Sequence, residues 1–342
     1  MSNRKLGFFT RLLDKVPAGE RYGLASEQIV NAEKSGFDSA WVAQHHFHAS
    51  EGGLPSPLVF LAHVAARTSS IRLGTGIITL PLENAVRVAE DASVLDLLCG
   101  HRLELGVGSG GTPASFPAFG QRSEDRGAVF AEHLEVLRAA FAGEELVGTA
   151  NRLYPKASRL AGALWQATFS AGGGQRAGVV GDGLMLSRTQ PRSASAPDAT
   201  LADLQLPIIE AYLDALPAGA PPRIMGSRTV FIADTRSEAW ALAEVGLRDA
   251  AAHFRRIGHA LREDSIQSLA ASLDSHVGTA QDVIESLSRD KTLEHVTELV
   301  VQVHSIDPPH QAILRSTELM GTVVGPALGF GAKQLATSGS RA

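Results

Sequence analysis

The alternation of short apolar runs with amphipathic stretches constrains the fold of this chain more than any other feature. Eight apolar runs are predicted as strands, and each is joined to the next by a loop and helical sequence. The strands open at Leu6, Ser39, Ile71, Arg102, Leu164, Gly183, Arg223 and Glu298. Right-handed crossover helices must cover the faces of such a sheet, so its strands are parallel. Eight such units predict a (β/α)8 TIM barrel with insertions, because the fold usually takes about 250 residues.

The length beyond a minimal barrel falls in three stretches, Gly143–Gly162, Gln190–Thr200 and Gly246–Gly278. No break in composition calls for a second domain, so we predict a single domain over residues 1–330. Residues 331–342 are small and polar, and we expect a disordered tail there. The stretch from Ser237 to about Leu287 is expected to be a long helical region.

Charge and cysteine content exclude several classes of protein. The net charge of -5 argues against a nucleic-acid partner, because polyanions select clustered Lys and Arg. The single cysteine, Cys99, rules out an internal disulfide framework and favours a reducing, cytoplasmic location. No window approaches the roughly 20 uncharged apolar residues that a membrane span needs, so we expect no membrane partner.

The strand that opens at Ser39 leads directly to a histidine-rich loop that begins His45-His46-Phe-His48. An imidazole at a strand's carboxyl end is suited to act as an acid, a base or a hydrogen-bond donor, because its ordinary pKa lies near neutrality. The spacing of His46 and His48 also fits a divalent metal, with His304 and Asp307 as further ligands of a barrel hydrolase. We predict no metal and keep the hydrolase as an alternative. A purely structural role also stays open for His45 and His46.

Glycine-rich loops follow two of the other strands. Ser170-Ala-Gly-Gly-Gly-Gln175 opens a helix, so its backbone N–H groups could cradle a phosphate, although a flexible turn would use the same residues. The loop Gly106–Gly111 matches the G-x-G-x-x-G pattern, but Pro113 and Pro117 prevent the helix that a dinucleotide fingerprint requires. It remains a loop without bulky side chains at the mouth of the barrel.

Taken together, these segments resemble the bacterial luciferase-like flavin monooxygenases. The resemblance covers most of residues 5–190 in the family order, whereas the C-terminal third matches only in rhythm. The matching segments are Leu6-Gly-Phe-Phe-Thr10, Gly36-Phe-Asp-Ser-Ala-Trp-Val-Ala-Gln-His-His-Phe47, Ile71-Arg-Leu-Gly-Thr-Gly-Ile77 with Leu80-Pro81, Leu95-Asp-Leu-Leu-Cys-Gly-His-Arg-Leu-Glu-Leu-Gly-Val-Gly-Ser-Gly110, Phe119-Gly120 with Arg126 and Glu132, and Gly181-Asp-Gly-Leu-Met-Leu-Ser187.

The resemblance implies an FMN-dependent, two-component monooxygenase, usually a homodimer. A separate flavin reductase would supply reduced FMN, which reacts with O2 to oxygenate a small organic substrate. By resemblance, His45 is the catalytic imidazole, and Gly76 and Ile77 fall where the family often has a cis peptide beneath the flavin. The implied phosphate-binding residues are Ser109, Ser170, Gly172 and Gly173.

Two positions depart from bacterial luciferase. Gln44 replaces a glutamate beside the histidines, and Ser109 replaces an arginine that faces the phosphate. These departures predict a phosphate held mostly by backbone N–H groups and hydroxyls. They keep open a deazaflavin-dependent oxidoreductase of the same fold, and a flavin-binding protein without catalytic activity is a third possibility. The three insertions are expected to act as lids that exclude water.

Overall fold

Eight parallel strands close into a barrel in the computed structural model, which describes residues 4–146, 148–192, 195–196, 199–256, 261, 265–303 and 308–331. The strands are β1 (Lys5–Thr10), β2 (Ser39–Val42), β3 (Arg72–Thr75), β4 (Ile78–Thr79), β5 (Leu103–Gly108), β6 (Leu164–Ala167), β7 (Gly183–Leu186), β8 (Ile224–Ile232), β9 (Ser275–Gly278) and β10 (Glu298–Gln302). The barrel runs β1-β2-β3-β5-β6-β7-β8-β10, and β10 pairs with both β8 and β1. The predicted TIM barrel is therefore confirmed.

Helices connect the strands in the expected rhythm. They are α1 (Ala18–Lys34), α2 (Pro57–Ala65), α3 (Ala85–Leu98), α4 (Arg126–Ala142), α5 (Ser158–Ala161), α6 (Ala171–Val179), α7 (Leu201–Ala215), α8 (Arg236–Arg256), α9 (Ile266–Ser272), α10 (Ala280–Leu287), α11 (His310–Leu319) and α12 (Gly325–Ala327). Among the described helices, none is long and apolar enough to cross a membrane.

The eight barrel strands begin within one residue of their predicted positions, but the predicted long helical region from Ser237 to about Leu287 is wrong. It contains α8, α9 and α10, and strand β9 lies between the last two. Strand β9 pairs with the second half of β8, where Thr229 is opposite Ser275. A tertiary partner thus overrides the helical composition of the region. The predicted tail at 331–342 lies outside the described residues except for Gly331, and the single domain over 1–330 stays a prediction.

The barrel interior is filled in layers, which gives the mouth a solid floor. At the amino end, Arg72 forms ion pairs with Glu104 and Glu298. Above this charged layer, the rings of Trp41 and Trp165 meet edge to face with centroids 5.7 Å apart. The tryptophans explain two of the barrel glycines, because a Cβ on Gly74 or Gly183 would lie 2.2 Å from an indole carbon.

The outer faces of the barrel are buried beneath the helices. The main core joins inward-facing helix residues such as Ile29 and Leu137 to outward-facing strand residues such as Leu6 and Leu105. A second core, which includes Leu247 and Leu269, lies under α8, α9 and β9. The insertion therefore has its own apolar support on one side of the barrel.

Candidate active site at the barrel mouth

The predicted site residues lie at the carboxyl ends of four consecutive barrel strands. His45 follows β2, the Gly76–Ile77 pair follows β3, Ser109 follows β5, and Ser170 follows β6. These strands are neighbours in the order β2-β3-β5-β6. The fold thus brings together residues from four separate stretches of the sequence on one side of the mouth, which we call the glycine half. The carboxyl face is where barrel enzymes assemble their active sites.

His45 lies at the edge of the glycine half, in a position fixed by backbone contacts. Its N–H donates to the Leu54 carbonyl at 2.9 Å, so the loop after β2 folds back over the strand end. The Nδ1 atom of its imidazole is buried and has no hydrogen-bond partner in the described part of the chain. Gly52 lies against this ring, since a Cβ there would be 2.5 Å from Nδ1. Only glycine therefore leaves the imidazole its space.

Burial keeps the imidazole of His45 neutral. It lowers the pKa of His45 from 6.5 to about 3, and the positive charges of Arg11, His46 and Arg188 act in the same direction. A buried charged form costs free energy, and nearby cations increase that cost. At neutral pH the ring is therefore uncharged, and it can accept a proton or donate its one N–H in a hydrogen bond.

The peptide bond between Gly76 and Ile77 is cis, as the resemblance implies. Gln44, the residue before His45, supports this segment. Its backbone N–H donates to the Ile77 carbonyl at 3.3 Å, and its side-chain Oε1 accepts from the Thr79 N–H at 2.7 Å. Its Nε2 donates to Glu83 at 2.6 Å and to the Pro55 carbonyl at 3.1 Å. Gln44 therefore has a structural role that links the ends of β2 and β3.

The ends of β5 and β6 approach the same surface as the ends of β2 and β3. A Cβ on Gly108 would lie 2.8 Å from the Ile77 side chain and 3.5 Å from Ala167, so β5 brings Ser109 close to the cis peptide. The Ser109 hydroxyl makes no hydrogen bond to any other described residue. Phe9, Ile77 and Ala167 are partly buried and pack on the tryptophan layer. They form an apolar floor on which a flat ring can lie.

The glycine-rich loop after β6 opens helix α6, as its sequence predicts. Ser170 is the N-cap, and its hydroxyl accepts from the Gly173 N–H at 3.2 Å. Gly173 is tightly packed, because a Cβ there would lie 1.9 Å from the Thr168 hydroxyl. Gly172 faces open space, and within the described structure the N–H groups of Ala171 and Gly172 have no acceptor. The loop therefore presents two free donors at a helix N-terminus.

The second histidine of the pair faces aromatic rings. The His46 ring lies 4.7 Å from that of Phe119, and Phe47 completes the cluster. Phe47 is 67% exposed and has a φ of 66°, which is rare for a bulky residue.

Within the described ranges, no three His, Cys, Asp or Glu residues could hold a metal ion. The other ligands of the hydrolase alternative, His304 and Asp307, lie outside those ranges.

Three polar residues at the mouth were not predicted from the sequence. Arg11 follows β1, Arg188 follows β7, and Gln302 ends β10. Thr229 of β8 lies level with Gln302, three residues before its strand ends. These four residues belong to the four strands that the glycine half does not use, and we call this side the arginine half. None of them lies in a recognisable motif, so no short stretch of sequence marked them as site residues. Only the closure of the barrel brings Arg11 next to a residue almost three hundred positions later.

Part of the sequence is similar to curated proteins. The chain is 37% identical over 135 residues to 4-hydroxyprotoasukamycin monooxygenase of Streptomyces nodosus subsp. asukaensis, which is 38% of this chain and 36% of that protein. The matches span about a third of the length of the curated relatives.

Two solved structures have the same fold. Monooxygenase RslO1 from Streptomyces bottropensis superposes with a TM-score of 0.79 at 24% identity, covering 94% of this chain and 99% of that one. The oxygenating constituent of 3,6-diketocamphane monooxygenase from Pseudomonas putida, solved with FMN, has a TM-score of 0.71 at 19% identity, covering 95% and 98%. At these identities the likeness establishes the fold alone.

A family model matches most of the chain, including the predicted site residues. The model for luciferase-like monooxygenases matches residues 8–293, which include the strand ends of the glycine half, part of β1 and the next six barrel strands. The resemblance seen in the sequence is thereby confirmed and extends past residue 190 into the C-terminal third. The chain belongs to the luciferase-like monooxygenase family.

Proposed function

We propose that this protein is an FMN-dependent, two-component monooxygenase that oxygenates a small organic substrate with O2. One observation carries the proposal. Four consecutive strand ends combine an apolar floor, a helix N-terminus with free N–H groups and a neutral imidazole. FMN has the matching parts, because its ring is flat and apolar and its phosphate is anionic. The FMN complex of the structural neighbour from Pseudomonas putida supports this choice.

The floor of the glycine half fits a flat ring. Phe9, Ile77 and Ala167 are the partly buried apolar residues above the tryptophan layer. Gly76 and Gly108 flank them, and a Cβ on either would lie 2.7 to 2.8 Å from a side-chain carbon. The glycines therefore keep the floor flat and close-packed. We assign Gly76 and Ile77 to the flavin ring.

The N-terminus of α6 fits the phosphate. The free N–H groups of Ala171 and Gly172 point out of the first turn, and the helix dipole favours an anion there. We assign Gly172 as a donor, Ser170 and Gly173 as the residues that shape the turn, and Ser109 as a hydroxyl contact. Without an arginine at position 109, the affinity for FMN depends on these neutral donors.

His45 is the residue that we assign to catalysis. Bound reduced FMN supplies the electrons that activate O2. The neutral imidazole of His45 can then hold or move a proton at the mouth, since its pKa of about 3 leaves it unprotonated at neutral pH. Phe47 of the loop after β2 and Phe119 of the loop after β5 pack together and shield this position from water on the solvent side.

Flavin binding tests the phosphate assignment directly. Gly172→Asp places a carboxylate at the proposed phosphate position, so FMN should bind about tenfold more weakly. Riboflavin, which has no phosphate, should bind as it does to the unchanged protein. The same aspartate should stabilise helix α6 by about 0.3 to 1 kcal/mol, which separates lost binding from lost folding. Gly172→Ala is the matched control and should bind both flavins normally, because the site is open.

Reaction with oxygen tests the activity. Reduced FMN bound to the protein is mixed with O2 in a stopped-flow spectrometer, and its reoxidation is compared with that of free reduced FMN. A monooxygenase should change the course of reoxidation and oxygenate substrate only when a flavin reductase is present. Binding of a deazaflavin but not of FMN would establish the alternative cofactor. Tight FMN binding with unaltered reoxidation would indicate a binding protein without catalysis.

We also propose that the protein is a cytoplasmic homodimer. Val94, Leu97 and Leu98 form one face of α3, and Val59 lies on the adjacent helix α2; all four are exposed. Large apolar patches usually mark interfaces. Sedimentation should show a dimer, and Leu98→Asp should shift it to monomer. A monomeric starting protein would refute this assignment without affecting the flavin site.

A further inference from the structure

The arginine half of the mouth contains two guanidinium groups held by neutral oxygen atoms. Arg188 donates from Nε to the Oε1 atom of Gln302 and lies 3.5 Å from the Thr229 hydroxyl. Arg11 donates from Nε to the Glu51 carbonyl at 2.7 Å and from a second nitrogen to the same oxygen. These contacts fix the position of each side chain, and none of them is made by a carboxylate.

The strand register brings the two arginines together. Gln302 pairs with Phe9 of β1 on one side and with Thr229 of β8 on the other. Arg11 comes two residues after Phe9, and Arg188 reaches past β8 to touch Gln302 itself. Arg188 therefore lies at the end of β10 and Arg11 at the end of the adjacent strand β1, close enough for the charge of Arg11 to act on Arg188 and for both charges to act on His45.

Acids of the described residues make no direct ion pair with either arginine. Across the described ranges, no carboxylate lies within salt-bridge distance of Arg11 or Arg188. The carboxylate of Glu51 accepts from the Thr112 hydroxyl at 3.2 Å, and the direct contact with Arg11 is made by the Glu51 backbone carbonyl. The charge of Glu51 raises the pKa of Arg11, but burial outweighs it and the pKa of Arg11 is lowered. Burial and the charge of Arg11 lower the pKa of Arg188 to about 9. The site therefore contains repelling cations that an anion would stabilise.

A third donor points to the same ligand chemistry. Gln302 is fully buried, and its Nε2 atom has no hydrogen-bond partner in the described structure. Its Oε1 is taken by Arg188, which orients the amide so that Nε2 is a donor without an acceptor. A buried donor without an acceptor destabilises the folded protein. Such a group beside Arg188, with Arg11 at the next strand end, is explained by a ligand that brings acceptor oxygens.

We propose that Arg11, Arg188 and Gln302 bind the anionic oxygens of an acidic substrate, a carboxylate or an enolate, and hold it beside His45. The guanidinium fork matches the two oxygens of a carboxylate. That the anion is substrate rests on the proposed function, in which the FMN phosphate lies on the opposite half of the mouth at α6. The existence of the anion site does not depend on that function.

Calorimetric titration with benzoate tests the site in the absence of flavin. Benzoate should bind, and its neutral analogue benzamide should bind at least about tenfold more weakly. Arg188→Gln and Arg11→Gln should each weaken benzoate binding by about tenfold or more, while benzamide binding stays the same. The matched control is Arg87→Gln, because Arg87 is exposed and paired with Glu90 and Asp91, and it should bind benzoate normally.

Folding and cofactor competition complete the test. Thermal melting of Arg188→Gln should be no lower than that of the unchanged protein, because one of two repelling charges has gone. Benzoate that fails to bind, or that binds equally to Arg188→Gln, would overturn the proposal. If saturating FMN expels benzoate, the anion site belongs to the flavin and not to a substrate. A protein that binds benzoate through Arg188 but binds no FMN would keep the anion site and refute the monooxygenase.

Discussion

The two halves of the barrel mouth offer a ligand opposite kinds of surface. In the glycine half, Gly76, Gly108 and Gly172 expose backbone and an apolar floor, so recognition comes from shape and from N–H dipoles. In the arginine half, Arg11 and Arg188 present full charges on long side chains. Backbone donors suit a ligand that is always the same, such as a cofactor. Charged side chains can change between relatives without disturbing the fold, which suits a substrate.

His45 lies on the border between these halves. Its strand, β2, belongs to the glycine half, but β1 with Arg11 is its other neighbour. The imidazole is packed by Gly52 and has the charge of Arg11 nearby. A group that acts on both cofactor and substrate has to lie where the two sites meet. The following changes test the two halves and the position of His45 between them, beginning with the largest expected effect.

His45→Ala should reduce turnover about 100-fold or more, because the proton-handling group is removed. The dissociation constant for FMN should change less than threefold, as the floor and the α6 donors remain. Steady-state assays with a flavin reductase and a fluorescence titration measure the two quantities. His48→Ala, an exposed neighbour on the same loop, serves as the control. Equal losses of turnover and of flavin binding would make His45 a structural residue of the glycine half.

Gln44→Glu should destabilise the fold by about 2 kcal/mol at pH 8. The new carboxylate would face Glu83, whose Oε1 lies 2.6 Å from the Gln44 amide nitrogen, and the Pro55 carbonyl. Burial already raises the pKa of Glu83. Two acids with raised folded-state pKa values favour the folded state at low pH, and that stability is lost as the pH rises through those values.

Melting curves at pH 5 and pH 8 check the effect of Gln44→Glu. The loss should be clearly smaller at pH 5, where the two carboxyl groups can share a proton. Gln44→Met removes the same hydrogen bonds without adding charge, so its loss should be similar at both pH values. An equal loss for Gln44→Glu at both pH values would show that Gln44 does not face Glu83 as described.

Gly52→Ala should reduce turnover about tenfold, because the added methyl group would lie 2.5 Å from Nδ1 of His45 and 3.1 Å from the Arg11 carbonyl. Overpacking of this kind costs about 1 to 3 kcal/mol, and here the movable neighbour is the imidazole. Flavin binding should be unchanged. Gly111→Ala, in open space on another loop of the mouth, is the matched control. Full activity in Gly52→Ala would mean that the position of the His45 ring is unimportant.

The same two halves show what the sequence alone can reveal. The strand starts and the glycine half were predictable because their signals are local: apolar runs, glycine loops and adjacent histidines each lie within a dozen residues. Strand β9 was missed because its partner, the second half of β8, is distant in sequence. Arg11, Arg188 and Gln302 were missed for a related reason. Each is an ordinary residue until barrel closure brings three strand ends together.

The smallest expected effect is the influence of the charges of the arginine half on the pKa of His45. Arg11→Gln should raise the pKa of His45, and Arg188→Gln should raise it less, because Arg11 has the stronger influence. Both values should stay below 6.5, since burial is the main cause of the shift. A histidine that is neutral in the folded state and protonated in the unfolded state destabilises the protein as the pH falls below about 6.5.

NMR titration of the His45 imidazole measures this coupling, and melting temperatures between pH 7 and pH 4 provide a second readout. His45→Gln should weaken the fall in melting temperature with acid, whereas Arg87→Gln should leave the His45 titration unchanged. If neither arginine substitution moves the pKa of His45, the two halves act independently at this residue. His45 would then belong to the cofactor side alone, and the substrate anion would be held without influence on the proton that the imidazole carries.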